Sequence, residues 1–145
     1  MTTKAYRYIS ISFGIIFGLV GITFLFMGDE VMVVFNRISA VVGMEQVEPV
    51  KGHFFGILAA AYMYVVALLA LLMYRNPKEP LYPFILLNAK MASAVISFMM
   101  FLTDKYLLIY ISNGIVDGLI GWLVFFMYRY SKRNAASMPI WRGPG

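Results

Sequence analysis

Apolar residues in this chain gather into four long runs, and most of the charged residues fall between them. The first run extends from Tyr8 to Met27, carries no charge and is closed by Gly28-Asp29. The second extends from Phe54 to Tyr74 and is closed by Arg75-Asn76-Pro77. The third, about Phe84 to Leu102, contains Asn88 and Lys90, and the fourth, Tyr106 to Tyr128, contains Asp117. A helix needs about 20 mainly apolar residues to cross the hydrocarbon core of a bilayer, and each run is close to that length. The pattern predicts an all-α integral membrane protein, an antiparallel four-helix bundle. The order is antiparallel because the second and third connections are short. The expected helices cover about 8–27, 54–74, 84–102 and 106–128, in one domain over 1–130. The first run is too long for the core of a cleaved signal peptide, and no small-x-small site follows it, so it is read as a retained helix.

The long first connection can hold structure of its own. Val31, Val34, Phe35, Ile38, Val41 and Val42 recur at helical spacing, broken by Asn36, Arg37 and Ser39. This predicts a short amphipathic helix over about 30–42, with Asp29 as its cap and Gly43 as its end, lying on the outer membrane surface or over the mouth of the bundle. Residues 131–145 read as a basic cytoplasmic tail, disordered alone in water. Trp141 is out of place in such a tail and is expected to dock on a partner or on lipid headgroups.

Composition sharpens the picture. Hydrophobic residues make up 61% of the 145 and charged residues 13%, and the mean hydropathy is +0.78. A soluble domain carries about twice that share of charge. Net charge is +5, but the basic residues sit in short segments beside the apolar runs. They therefore orient helices rather than form a nucleic-acid face. The N-terminus, the second connection and the tail hold Lys4, Arg7, Arg75, Lys78, Arg129, Lys132, Arg133 and Arg142. The opposite side holds Arg37, Lys51 and Lys105 among Asp29, Glu30, Glu45, Glu48 and Asp104. The positive-inside rule then places both termini in the cytoplasm of a cell whose inner membrane holds the bundle. The absence of Cys excludes disulfides and thiolate metal sites.

Small residues mark the expected inner faces. Gly14, Gly18 and Gly21 in the first helix share their spacing with Gly114, Gly118 and Gly121 in the fourth. The first set lies on one stripe with Arg7 and Ser10. Such stripes let helix backbones approach closely in lipid. They serve either compact packing of the bundle or an interface for a partner subunit or a flat lipophilic ligand.

Asp117 is the most informative polar residue. It lies about 16 Å from the cytoplasmic end at 1.5 Å per residue. A charge at that depth has to face protein or water. Asn113, one turn away, and Tyr110 continue a polar face outward. With Lys90 they form the candidate ligand-binding or proton site; the alternative is a purely structural pair. Lys90 differs in depth from Asp117 by roughly 7 Å. Helical side chains lean toward their own N-termini, which tilts the two apart. Snorkelling of Lys90 to the interface therefore competes with pairing. In the second run Tyr62 and Tyr64 point to opposite faces, and one of them needs an interior partner.

His53 is the only histidine, and a solvated interfacial role is expected of it. No catalytic residues and no metal site are expected: His-x-Glu, Gly-x-Ser-x-Gly, the P-loop and the dinucleotide fingerprint are all missing. The chain resembles small four-helix bacterial membrane proteins of the DoxX-like kind over residues 7–130. The resemblance rests on the Gly-rich first helix after Arg7, the amphipathic outer segment and Arg75-Asn76-Pro77. Lys90, Asp117 and Phe125-Phe-Met-Tyr-Arg129 also carry it. It implies a quinone or lipid environment, because some members are associated with quinone-linked redox complexes. The function expected first is a non-catalytic accessory subunit of a larger membrane complex, respiratory or otherwise energy-transducing. Its partners would be other integral membrane subunits and lipids, without nucleic acid. Next comes a stand-alone quinone- or phospholipid-binding protein using the Asp117 face, with no intrinsic cofactor. Last comes a proton-coupled transporter.

Overall fold

The computed structural model describes residues 1–46, 54–103 and 106–136. These form five helices in chain order: α1 Thr3–Phe26, α2 Gly28–Val42, α3 Phe54–Arg75, α4 Leu81–Thr103 and α5 Leu108–Ala136. Four of them, α1, α3, α4 and α5, are long and apolar enough to cross a membrane. Among the described residues there is no strand; an isolated backbone bridge joins Glu45 to Leu107. His53, Trp141 and residues 137–145 of the expected tail lie outside the described residues.

The outer surface is far more apolar than that of a soluble domain, and a few polar side chains lie inside. Ile15, Leu19, Ile22, Val95, Ile96, Val116 and Leu119 are exposed, while Lys90, Asp117, Ser10, Ser97 and Ser131 are buried. Apolar surface this continuous has no stable place in water, so it belongs against lipid or protein. The chain has the makeup of a multi-pass membrane protein.

Two helix pairs form the bulk of the packing, α1 with α3 and α4 with α5. Along α1·α3, Gly14 meets Leu71 and Ala67, Gly21 meets Met63 and Ala60, and Gly56 meets the Phe24 carbonyl. Along α4·α5, Lys90 and Met91 meet Gly121, Ala94 meets Gly118, and Phe98 meets Gly114. In both pairs the contacts ascend one helix as they descend the other. A smaller contact between α3 and α4 joins the pairs, and Tyr6, Phe17, Val66, Met73, Leu86, Val124 and Met127 fill the shared core.

Several boundaries differ from the sequence expectation. α1 begins at Thr3 because Thr2 caps it, its hydroxyl accepting from the Ala5 N–H at 3.2 Å. α5 continues through residues 131–136, where a disordered tail was expected. Lys, Arg and Ala favour helix, and Ser131 is fully buried, its hydroxyl donating to the Pro77 carbonyl at 2.9 Å. Asp29 is not the cap of α2: it lies within the first turn, where its charge favours the helix dipole, and Met27 occupies the cap position without a side-chain bond. Gly43 does end α2, in the left-handed conformation at φ 72° that glycine adopts without strain. The apolar stripe of α2 is split. Val31 and Phe35 turn partly inward beside buried Ser39, whereas Val34, Ile38, Val41 and Val42 are exposed.

Candidate functional site

Lys90 and Asp117 meet in the interior. The Lys90 ammonium donates to Asp117 Oδ1 at 2.8 Å, and the two side chains are 1% and 5% exposed. The same ammonium lies 4.7 Å from the ring centre of Phe17 and 5.2 Å from that of Tyr62. Ring faces carry negative potential, so both contacts favour a cation held out of water. The Tyr62 hydroxyl donates to the Ala89 carbonyl at 3.3 Å. Phe17 comes from α1, Tyr62 from α3, Lys90 from α4 and Asp117 from α5. All four long helices therefore converge on one positive charge.

Side-chain lean in the sequence argues against this pair, and the packing shows why it forms. At Gly121 an added Cβ would sit 2.8 Å from the Met91 sulfur and 3.8 Å from the Lys90 Cβ. The missing side chain brings the base of Lys90 to the level of Gly121, one turn from Asp117. One turn is about 5.4 Å, a distance the four-carbon stem of lysine can span. Lys90 thus runs along α5 instead of snorkelling. Asp117 Oδ2 is buried and has no hydrogen-bond partner. A buried carboxylate oxygen left in that state can accept a hydrogen bond from a donor that enters the site.

Asn113 belongs to a second part of the same polar column. Its Nδ2 donates to Ser97 Oγ at 2.7 Å and approaches Ser93 Oγ at 3.2 Å. It bonds across to α4 rather than along α5 to Asp117. Tyr110 is half-buried and its side chain joins neither hydrogen-bonded group among the described residues. The structure therefore brings together Lys90 with Asp117, and Asn113 with two serines, and places Tyr110 in neither group. Sequence reasoning missed Phe17, which looked like one apolar residue among many. Tyr62 is the interior member of its tyrosine pair, since Tyr64 is 68% exposed.

The glycines sort by position. Gly14, Gly21, Gly114 and Gly121 are buried at helix contacts, where a Cβ would come within 2.8–3.1 Å of a neighbour. Gly18 has nothing within 4 Å, and Gly118 only the Ala94 Cβ at 3.9 Å. Gly118 lines an open groove of about 640 Å³ on the outward side of α4·α5, with Asn88, Met91, Trp122 and Phe125. Arg7, expected on the inner stripe, is exposed, its guanidinium 6.0 Å from the Tyr74 ring centre. Tyr6 takes the inward position.

Tyr6 anchors a knot at the basic end that no sequence signal announced. Ser131 Oγ lies 3.2 Å from the Tyr6 hydroxyl while also bonding to the Pro77 carbonyl. The Thr3 and Tyr130 hydroxyls lie 2.7 Å apart, and the Tyr6 and Tyr130 rings lie 5.5 Å apart. The start of α1, the α3–α4 turn and the last turns of α5 are tied together there.

No group of three or more metal-ligating side chains occurs among the described residues. Comparison with family models, curated proteins and solved structures finds no match.

Proposed function

We propose that the chain is a non-catalytic accessory subunit of a larger membrane protein complex, respiratory or otherwise energy-transducing. In this reading it is an antiparallel four-helix bundle of the inner membrane with both termini in the cytoplasm. The exposed face of α2, with Val34, Ile38, Val41 and Val42, rests on the outer surface. The DoxX-like resemblance supplies the energy-transducing setting.

The observation that carries the proposal is the groove on the outer side of α4·α5. The interior polar groups are largely engaged with one another, whereas Gly118 leaves backbone open toward the bilayer beside Trp122, which is 52% exposed. Asn88 stands exposed at the groove, its amide turned back to the Phe84 carbonyl at 2.7 Å. An open small residue flanked by an amide suits close approach of a second transmembrane helix, which packs on the glycine and bonds the amide.

Extraction of native membranes in mild detergent, followed by native gels and mass spectrometry, should return the chain in fixed ratio with other membrane subunits. Migration alone, at 16.4 kDa plus detergent, overturns the proposal. Gly118→Trp, which fills the groove, should release the partners while the helix content stays unchanged.

A second reading, a stand-alone binder of quinone or phospholipid, draws on the unpartnered Asp117 Oδ2. A ligand with a hydrogen-bond donor would complete that oxygen. In this case Asp117→Asn and Asn113→Ala should weaken binding of a short-chain quinone or phospholipid, and unchanged affinity in both removes the reading.

A further inference from the structure

The basic end of the molecule holds a pocket that neither reading above uses. Phe126, Arg129, Tyr130, Arg133 and Asn134 line it from α5, and Met1 closes it from the start of the chain. Those five positions recur at three- and four-residue steps, so they form one face of the helix. The volume is about 490 Å³. From Phe126 to Arg133 the face rises about 10 Å along the axis and changes character, apolar at the bottom and cationic at the top. One wall is held in place by α1: the Tyr130 hydroxyl bonds that of Thr3 and its ring lies 5.5 Å from the Tyr6 ring, tilted by 31°; within α5 its carbonyl accepts from Asn134 Nδ2 at 2.8 Å.

Among the described residues neither arginine has an acidic partner, and the Arg129 guanidinium lies 5.8 Å from the Phe125 ring centre. The salt bridge found among the described residues is Lys90–Asp117. Glu79, an acid at the same end, has its carboxylate bonded to the Leu81 N–H. Both arginines are exposed and two turns of α5 present them side by side, one helical turn apart. An aromatic floor below paired guanidinium groups at the edge of an apolar belt matches a phosphate headgroup above its acyl chain.

We propose that this pocket binds an anionic phospholipid, with the phosphate between Arg129 and Arg133 and the first part of an acyl chain against Phe126. The site differs from general attraction of the basic end to a charged leaflet because it needs these two arginines rather than any two positive charges.

The test uses the full chain in nanodiscs of phosphatidylcholine doped with phosphatidylglycerol, with native mass spectrometry counting the retained lipid. Arg129→Gln with Arg133→Gln removes two charge-assisted hydrogen bonds to the phosphate and should lower retention of phosphatidylglycerol by about 100-fold. Arg75→Gln with Lys78→Gln removes the same charge from the α3–α4 turn and should lower it far less. Arg129→Lys with Arg133→Lys should restore part of the loss. Circular dichroism of each variant establishes that the helices remain. Equal losses in the two glutamine pairs overturn the proposal. Displacement of the lipid by inorganic phosphate overturns it as well, because the occupant would then be a free anion.

Discussion

The α1·α3 and α4·α5 pairs are each packed on two glycines seven residues apart, yet they enclose different chemistry. Between α1 and α3, Gly14 and Gly21 admit Leu71, Met63 and the Ala60 and Ala67 carbonyls. That contact is dry, and its stability comes from close packing. Between α4 and α5, Gly114 and Gly121 admit Phe98, Met91 and the base of Lys90. The space gained there houses the Lys90–Asp117 pair and the Asn113–serine bonds. One spacing thus serves two purposes. It brings backbones together in the first pair and sets the register of a buried charge in the second. Phe17 and Tyr62 extend from the dry pair to cover the ammonium of the polar one. The charge therefore holds the two pairs together as well as α4 to α5.

The comparison breaks most visibly at Lys90. Lys90→Met keeps the stem and removes the charge, leaving Asp117 buried without its partner. It should lower stability by about 3–5 kcal/mol, and Lys90→Met with Asp117→Leu should recover most of the loss. Unfolding in mixed detergent micelles measures both. A single variant as stable as the parent would mean that the pair holds nothing together.

In the dry pair the corresponding change is Gly21→Ala. Its Cβ would lie 3.0 Å from the Met63 Cβ, an atom next to the backbone that cannot swing aside. A loss of about 1–3 kcal/mol is expected in the same assay. Asn113→Ala should have a smaller effect, about 0.6 kcal/mol, typical of polar contacts between membrane helices. If it matches Lys90→Met, the polar column acts as one network rather than two parts. At the bottom of the scale, Gly18→Ala and Gly118→Ala should lose nothing and gain up to about 1 kcal/mol from helix propensity, since neither Cβ meets a close neighbour. A loss at Gly18 comparable to that at Gly21 would erase the distinction between packing and open glycines.

Hydropathy and spacing alone determined the class of the protein. Runs of about twenty apolar residues have one common solution in a bilayer, because every backbone polar group must bond within its own segment. That is why four long apolar helices were legible, along with the helix after Gly28 and its end at Gly43. Lys90 and Asp117 were legible as unusual, because charge within an apolar run is costly wherever it lies. What they do was not legible. Their pairing depends on the register of α4 against α5, set by the absence of side chains at Gly114 and Gly121. Helix-by-helix reasoning about lean and depth does not contain that register. Phe17 and Tyr62 entered the site for the same reason, as did Tyr6 and Ser131 at the basic end, residues far apart in sequence that only the assembled helices bring together. The split glycine stripes make the point most simply. Gly14, Gly18 and Gly21 look alike along the chain, and only the position of α3 decides that two of them pack and one does not.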